Sequence, residues 1–335
     1  PTTVRLAGEY LGIMAWGFFP ALGFILLRGT VAGLSATRPV LAIALGGVAF
    51  NIAGNYVFGF GKLGFPRLEL SGLALASVLS LWAMFITLWV YIRQERSLRT
   101  YRLADRLYPP QPRLLAELLQ IGGPLAMAIL LEYGLFTVVT YLMGTLGTEV
   151  LAAHQIVLQI TYLLFMVPLG MSFAAMARTG QWLGREDWEG ARRAGFVSVA
   201  LGASFMGLAG IVLLIQPQAA IALFLDLSNP DNSSVLQLAL PMLIVGAGAQ
   251  ILDGIQKTAA GALYGLQDTR IPLLLSFVAF WGVGLSSGYW LGFGLDFGGT
   301  GLWLGQSLGV AIAAVMFLWR FSRLTARLGR GIGGF

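Results

Sequence analysis

Glu132 and Asp253 are the two acidic residues that fall well inside long apolar stretches of this sequence. A charge at the centre of a bilayer costs about 2.5–3.5 kcal/mol on insertion scales, so a carboxyl placed there faces a cavity or a partner. The helical neighbours of Glu132 are Ala128, Ile129, Leu135 and Phe136, and none is basic. Its carboxyl is therefore expected to be protonated or to bind a cation, with hydrogen-bonded packing as the plainer reading. Gln250, Asp253 and Lys257 recur at i, i+3 and i+7, which makes a polar stripe on one helical face. Two roles stay open for Asp253. Either it pairs with Lys257 four residues on, or it binds or relays a coupling cation that displaces the competing Lys257 charge.

His154 is the single histidine and stands in Ala152-Ala153-His154-Gln155 near the start of an apolar stretch. A lone histidine there is expected to be a structural hydrogen-bonder before it is a proton relay. Tyr133, Phe136, Tyr141, Tyr162, Phe165 and Phe280 could line a path for cationic aromatic compounds through cation–π contact. Core or lipid-facing positions would equally account for them. The sequence holds no Walker loop, nucleophile triad or metal motif, and with no cysteine it has no thiolate site. Neither an enzyme nor a bound cofactor is expected.

Long helices must position these residues. Of 335 residues 57% are hydrophobic and 11% charged, with mean hydropathy +0.78. A soluble domain carries about 25% charged residues to solvate its surface. Here most of the surface must face membrane lipid. A spanning helix needs about 20 apolar residues. Nine stretches qualify: 10–32, 39–61, 70–92, 116–146, 150–176, 191–215, 234–262, 271–293 and 299–319. Pro20, Pro124, Pro168 and Pro241 lie inside them. Unalternating runs of this length exclude an outer-membrane barrel, whose strands alternate over roughly 10 residues.

Basic residues set the expected orientation. Segment 93–115 carries Arg93, Arg96, Arg99, Arg102, Arg106 and Arg113, which places it in the cytoplasm of a multi-pass inner-membrane protein. Nine alternating spans then put Arg38, Arg178, Arg185, Arg192, Arg193, Arg270 and the basic C-terminus inside as well. Only Arg5, Lys62 and Arg67 fall outside. The pI near 9.8 is thus topogenic, and nucleic acid is not an expected partner. A monomer is expected.

An internal repeat organises the chain. Gly29-x-x-x-Gly33-Leu34-x-x-Thr37-Arg38-Pro39 recurs as Gly261-x-x-x-Gly265-Leu266-x-x-Thr269-Arg270-Ile271-Pro272, at an offset of 232 residues. Tyr56-x-x-Gly59-Phe60-Gly61 recurs at 233 as Tyr289-x-x-Gly292-Phe293-Gly294, and Ser71-Gly72-Leu73 meets Thr300-Gly301-Leu302 at 229. Both copies should cross the membrane in the same direction, as in transporters built from two similar bundles. The expected domains are 1–94, the second half of an N-terminal bundle; 95–115, a cytoplasmic linker; and 116–335, a complete six-helix bundle with a basic tail. Three spans precede the repeated block in the second unit and none in the first. Symmetry therefore predicts roughly 115–125 further residues and three helices ahead of Pro1, in a six-plus-six arrangement. The 335-residue chain by itself is then expected not to transport.

Three groups of motifs resemble the multidrug and toxic compound extrusion (MATE) family, nearest its NorM-type bacterial branch. They are Ala152-Ala153-His154-Gln155-Ile156 with Pro168-Leu169-Gly170 and Gly180-x-x-Leu183-Gly184; Asp253-Gly254-Ile255-Gln256 with Gly261-Ala262-Leu263-x-Gly265-x-x-Asp268-Thr269; and Arg38-Pro39 with Asn51-x-x-x-Asn55-Tyr56. The resemblance implies two six-helix bundles around a central cleft and alternating access. It also implies export of cationic, often aromatic, compounds in exchange for sodium ions or protons. Glu132 matches the seventh-helix glutamate and Asp253 the tenth-helix aspartate of cation coupling, where a sodium ion would be held. Gln250, Gln256, Lys257, His154 and Gln155 would be supporting polar groups, and Tyr133, Phe136, Tyr162 and Phe280 would line the substrate path.

Two other readings compete. A lipid-linked precursor flippase shares the two-bundle plan, but only Lys257 and the end-lying Arg28 could hold a pyrophosphate within the spans. A channel or membrane scaffold would gain nothing from the desolvation of two carboxylates.

Overall fold

A computed structural model describes residues 2–62, 64, 66–95 and 111–329. Most of the linker assigned to 95–115, with Arg96, Arg99, Arg102 and Arg106, lies outside the described residues, as does Arg330. The chain divides into two compact units, Pro1–Pro110 and Gln111–Phe335. The first contains α1 (Thr2–Ala15), α2 (Phe18–Gly33), α3 (Thr37–Gly59) and α4 (Glu69–Gln94). The second contains α5 (Pro112–Thr145), α6 (Thr148–Leu183), α7 (Trp188–Ile215), the short α8 (Pro217–Ala222), α9 (Ser233–Gly265), α10 (Arg270–Gly294) and α11 (Gly298–Leu328). Among the described residues there is no strand. Among the described residues eight helices are long and apolar enough to cross a membrane, or nine where the bent pair of α1 and α2 is counted as one span. This is an all-α polytopic membrane protein.

The run 10–32 is not one helix. Helicity starts at Thr2, and the chain bends by 45° between α1 and α2. Pro20 explains the break, because it has no N–H to give the carbonyl of Trp16 one turn earlier. At the bend the N–H groups of Trp16 and Gly17 donate three residues back, to the carbonyls of Ile13 and Met14, at 3.1 and 2.9 Å. Pro124, Pro168 and Pro241 leave α5, α6 and α9 unbroken.

Backbone geometry reproduces the repeat. Ser35 and Gln267, 232 residues apart, both adopt the left-handed conformation, with φ of 63° and 61°. Glu69 and Gly298, 229 apart, do the same at 49° and 54°. α3 ends in a π-helical turn, Asn55–Gly59, as α10 does at Trp290–Gly294. Gly72 lies against the backbone of Phe58 and Gly59, and Gly301 against that of Leu291 and Gly292. Those are corresponding positions at offsets of 229 and 233, so the two units share a local fold as well as a sequence pattern.

In the first unit α4 packs on α1, α2 and α3, with Phe24, Val31, Val40, Leu88 and Ile92 buried. In the second unit α9 is the central helix, packed on α6, α7 and α11. Without a hydrophobic drive between helices in lipid, close packing of small residues must hold them together. α9 accordingly approaches α7 backbone to backbone where Gly254 meets Gly202. The turn after α9 is tied down by Arg320 of α11, whose Nε donates to Asp268 Oδ2 at 2.7 Å. With these side chains 26% and 11% exposed, the bond is partly shielded from water. Arg320→Ala should destabilise the second unit by about 1.5–3 kcal/mol, the range for hydrogen bonds to charged groups, read from thermal melting in detergent.

Candidate functional site

Glu132 projects from α5 and meets a partner that its own helix does not supply. Lys257 of α9 donates its Nζ to Glu132 Oε2 at 2.7 Å, and the two side chains are 11% and 13% exposed respectively. The Lys257 ammonium also lies 5.1 Å from the centre of the Phe165 ring. Of the two roles left open for Asp253, the local pair with Lys257 is therefore not the one the structure forms. Lys257 stands one turn from Asp253, but its long stem carries the charge across to α5. One residue earlier on α5, Trp281 of α10 donates its indole N–H to the Leu131 carbonyl at 3.0 Å and so fixes the backbone beside Glu132.

Asp253 makes no hydrogen bond or ion pair to any described residue. With Glu132 it lines a cavity of about 300 Å³ inside the second unit. Tyr133, Phe136, Tyr162, Phe165, Phe280 and Trp303 form its aromatic wall. Gln250 and Gln306 line it as well; they are 1% and 4% exposed, and neither polar atom of either amide has a partner. An unsatisfied buried polar group costs about 1–3 kcal/mol. Two such amides beside an unbonded carboxylate make a surface complementary to a polar, positively charged guest.

His154 is fully buried and lies outside the cavity lining, behind Trp303. The Trp303 indole can only donate, and it does so to His154 Nδ1 at 3.2 Å. Nε2 then carries the ring proton and donates to Thr140 Oγ1 at 3.0 Å, and that hydroxyl donates to the Phe136 carbonyl at 2.8 Å. Both ring nitrogens are occupied, so the arrangement makes His154 a brace holding Trp303 against α5. His154→Phe should cost about 1–3 kcal/mol of thermal stability by orphaning the indole N–H, while ion dependence of any transport persists. A variant that melts normally but loses ion dependence would contradict the bracing role.

Most of the residues singled out from the sequence converge here: Glu132, Asp253, Gln250, Tyr133, Phe136, Tyr162 and Phe280, with Lys257 bound to Glu132. Gln155 is exposed and Gln256 buried, and neither lines the cavity. Sequence reasoning missed Gln306 and Trp303. Their signal was present, as a glutamine three residues beyond a tryptophan in an otherwise apolar span. In the first unit Ser77, at the repeat position of Gln306, accepts from Asn51 Nδ2 at 3.3 Å, and Asn55 Nδ2 donates to Asn51 Oδ1 at 3.0 Å.

The MatE family model matches residues 124–290. The "Probable multidrug resistance protein NorM" of Synechocystis sp. is 47% identical over 326 residues, covering 97% of this chain and 71% of that protein. The Synechococcus sp. protein of the same name is 52% identical over 324 residues, 97% of this chain and 70% of its own length. "Multidrug resistance protein NorM" of Burkholderia vietnamiensis is 39% identical over 330 residues, 98% and 71% of the two chains. Among solved structures, an outward-facing multidrug resistance MATE family transporter of the MOP superfamily superposes with a TM-score of 0.87 at 19% identity, over 98% of this chain and 72% of that one. A eukaryotic MATE transporter gives 0.83 at 19% identity, over 98% and 72%. At that identity the structural likeness speaks to the fold.

Proposed function

Because this chain belongs to the multidrug and toxic compound extrusion family, in its NorM-type bacterial branch, we propose that it works in multidrug efflux as an antiporter. Cationic, aromatic compounds would leave the cell in exchange for sodium ions or protons by alternating access. One observation carries the reading: a cavity inside the second unit combines an aromatic wall with a carboxylate, Asp253, that makes no hydrogen bond or ion pair with any described residue. A buried carboxylate of this kind accepts one positive charge at a time. Whichever cation occupies it, coupling ion or drug, excludes the other, and that exclusion makes the exchange obligatory. The aromatic wall adds attraction for planar cations, of about 0.5–2 kcal/mol per cation–π contact.

The setting would be the inner membrane, with segment 93–115 and the C-terminus in the cytoplasm and the protein acting as a monomer. A pyrophosphate-bearing lipid precursor fits less well, because Lys257 is committed to Glu132 and the cavity lining presents the Asp253 carboxylate. The test is ethidium efflux from proteoliposomes holding the full-length protein, with sodium and proton gradients imposed separately. Acceleration by one gradient identifies the coupling ion. Efflux indifferent to both would sink the antiporter reading.

A further inference from the structure

Counting charge in the cavity leads to a rule about its ligand. Glu132 and Asp253 supply two negative charges and Lys257 one positive. The Lys257 ammonium sits 2.7 Å from Glu132 Oε2 and 5.1 Å from the Phe165 ring centre. A carboxylate and an aromatic face are the two groups that receive an organic cation. One cation receptor is therefore already filled, by a side chain of the protein itself. The rest of the polar lining is different: Asp253 makes no hydrogen bond or ion pair with a described residue, and the Gln250 and Gln306 amides have four unpaired polar atoms between them.

We propose that Lys257 is a tethered cation that occupies Glu132 at the cavity wall and thereby restricts the ligand to a single positive charge, held at Asp253. The inference rests on the cavity being the cation site proposed above. A tethered ammonium competes at an effective concentration on the order of millimolar, which few drugs reach in a cell. A second charge on the ligand would have to evict Lys257 or lie beside it, and like charges at such range repel strongly in a water-poor site. Lys257 acts here as a specificity-determining residue. Its tether keeps it on Glu132 whether or not a ligand is bound, so that carboxylate is never left bare.

Ethidium and propidium test this, since they share one aromatic ring system and carry one and two positive charges. Both are titrated by fluorescence into the purified full-length protein, and the wild type is expected to prefer ethidium. Lys257→Met uncovers the second carboxylate and should shift the affinity ratio toward propidium by at least about tenfold, the effect of one unit charge near a partly buried site. Glu132→Gln strips Lys257 of its partner and lets it turn to Asp253, one turn away, so ethidium should weaken by a similar factor. The double variant, Glu132→Gln with Lys257→Met, restores the wild-type net charge. It should recover ethidium binding to within about threefold, the usual scatter of neighbouring substitutions.

A Glu132 that touches the ligand directly predicts no recovery in the double variant, and that result overturns the proposal. So does an unchanged dye ratio in Lys257→Met. Should Lys257→Met fail to fold, the comparison of Glu132→Gln with the double variant decides alone. Wild-type protein that binds neither dye refutes the functional reading itself, which separates the two failures.

Discussion

Asp253→Asn is expected to lower ion-driven efflux by roughly ten- to a hundredfold in a protein that stays folded. Hydrogen bonds to charged groups are worth about 1.5–3 kcal/mol, and each 1.4 kcal/mol is a factor of ten. The neutral amide keeps the shape of the side chain but cannot exchange one cation for another. It retains drug contact through the aromatic wall and loses the competition that couples the two fluxes. Stability should not fall, because the carboxylate it replaces makes no hydrogen bond or ion pair with any described residue. Removing an uncompensated charge from an apolar span is neutral or favourable. Efflux rates and thermal melting on the same preparation separate the two effects. Ion-dependent efflux surviving in Asp253→Asn would remove that residue from the mechanism and leave Glu132 as the candidate.

What the sequence revealed about this site depended on how local each feature was. The spans were legible because an apolar run of 20 residues has few other fates, and nine runs correspond to eight helices and a bent pair. The repeat was legible because turns with left-handed residues recur with the same flanking glycines, as at Ser35 and Gln267. The pairing of Lys257 was not. Its helical neighbour Asp253 was the obvious acid, whereas the acid it binds lies 125 residues away on another helix. The role of His154 was hidden for the same reason, since Trp303 and Thr140 reach it only in the folded bundle. Even the break between α1 and α2 turned on tertiary support. Of the prolines Pro20, Pro124, Pro168 and Pro241 inside predicted spans, only Pro20 coincides with a break; there the adjoining Gly17 is pressed against Leu81 and Val78 of α4.

Gly305→Val should have the largest effect on folding. Gly301, Gly305 and Gly309 recur every fourth residue on α11, and Gly284, Gly288 and Gly292 do so on α10. The two rows face each other in antiparallel order: Gly301 meets Gly292, Gly305 meets Gly288 and Gly309 meets Gly284. A Cβ at Gly305 would strike the Cα and N of Gly288 and, at 2.7 Å, the carbonyl oxygen of Gly284. These are backbone atoms, so no rotamer change can make room and the helices must separate. Overpacking by a methylene typically costs about 1–3 kcal/mol, and a branched side chain against backbone should exceed that range. Separation also forfeits the close contact that holds transmembrane helices together in lipid. Gly248→Ala is the control: nothing lies within 4 Å of its added Cβ, and its melting should stay within about 0.5 kcal/mol of wild type. The milder Gly305→Ala links packing to function, because the same helix carries Trp303 and Gln306 to the cavity wall. Its folded fraction should bind ethidium more weakly than wild type, and unaltered binding would show that α11 can shift without disturbing the site.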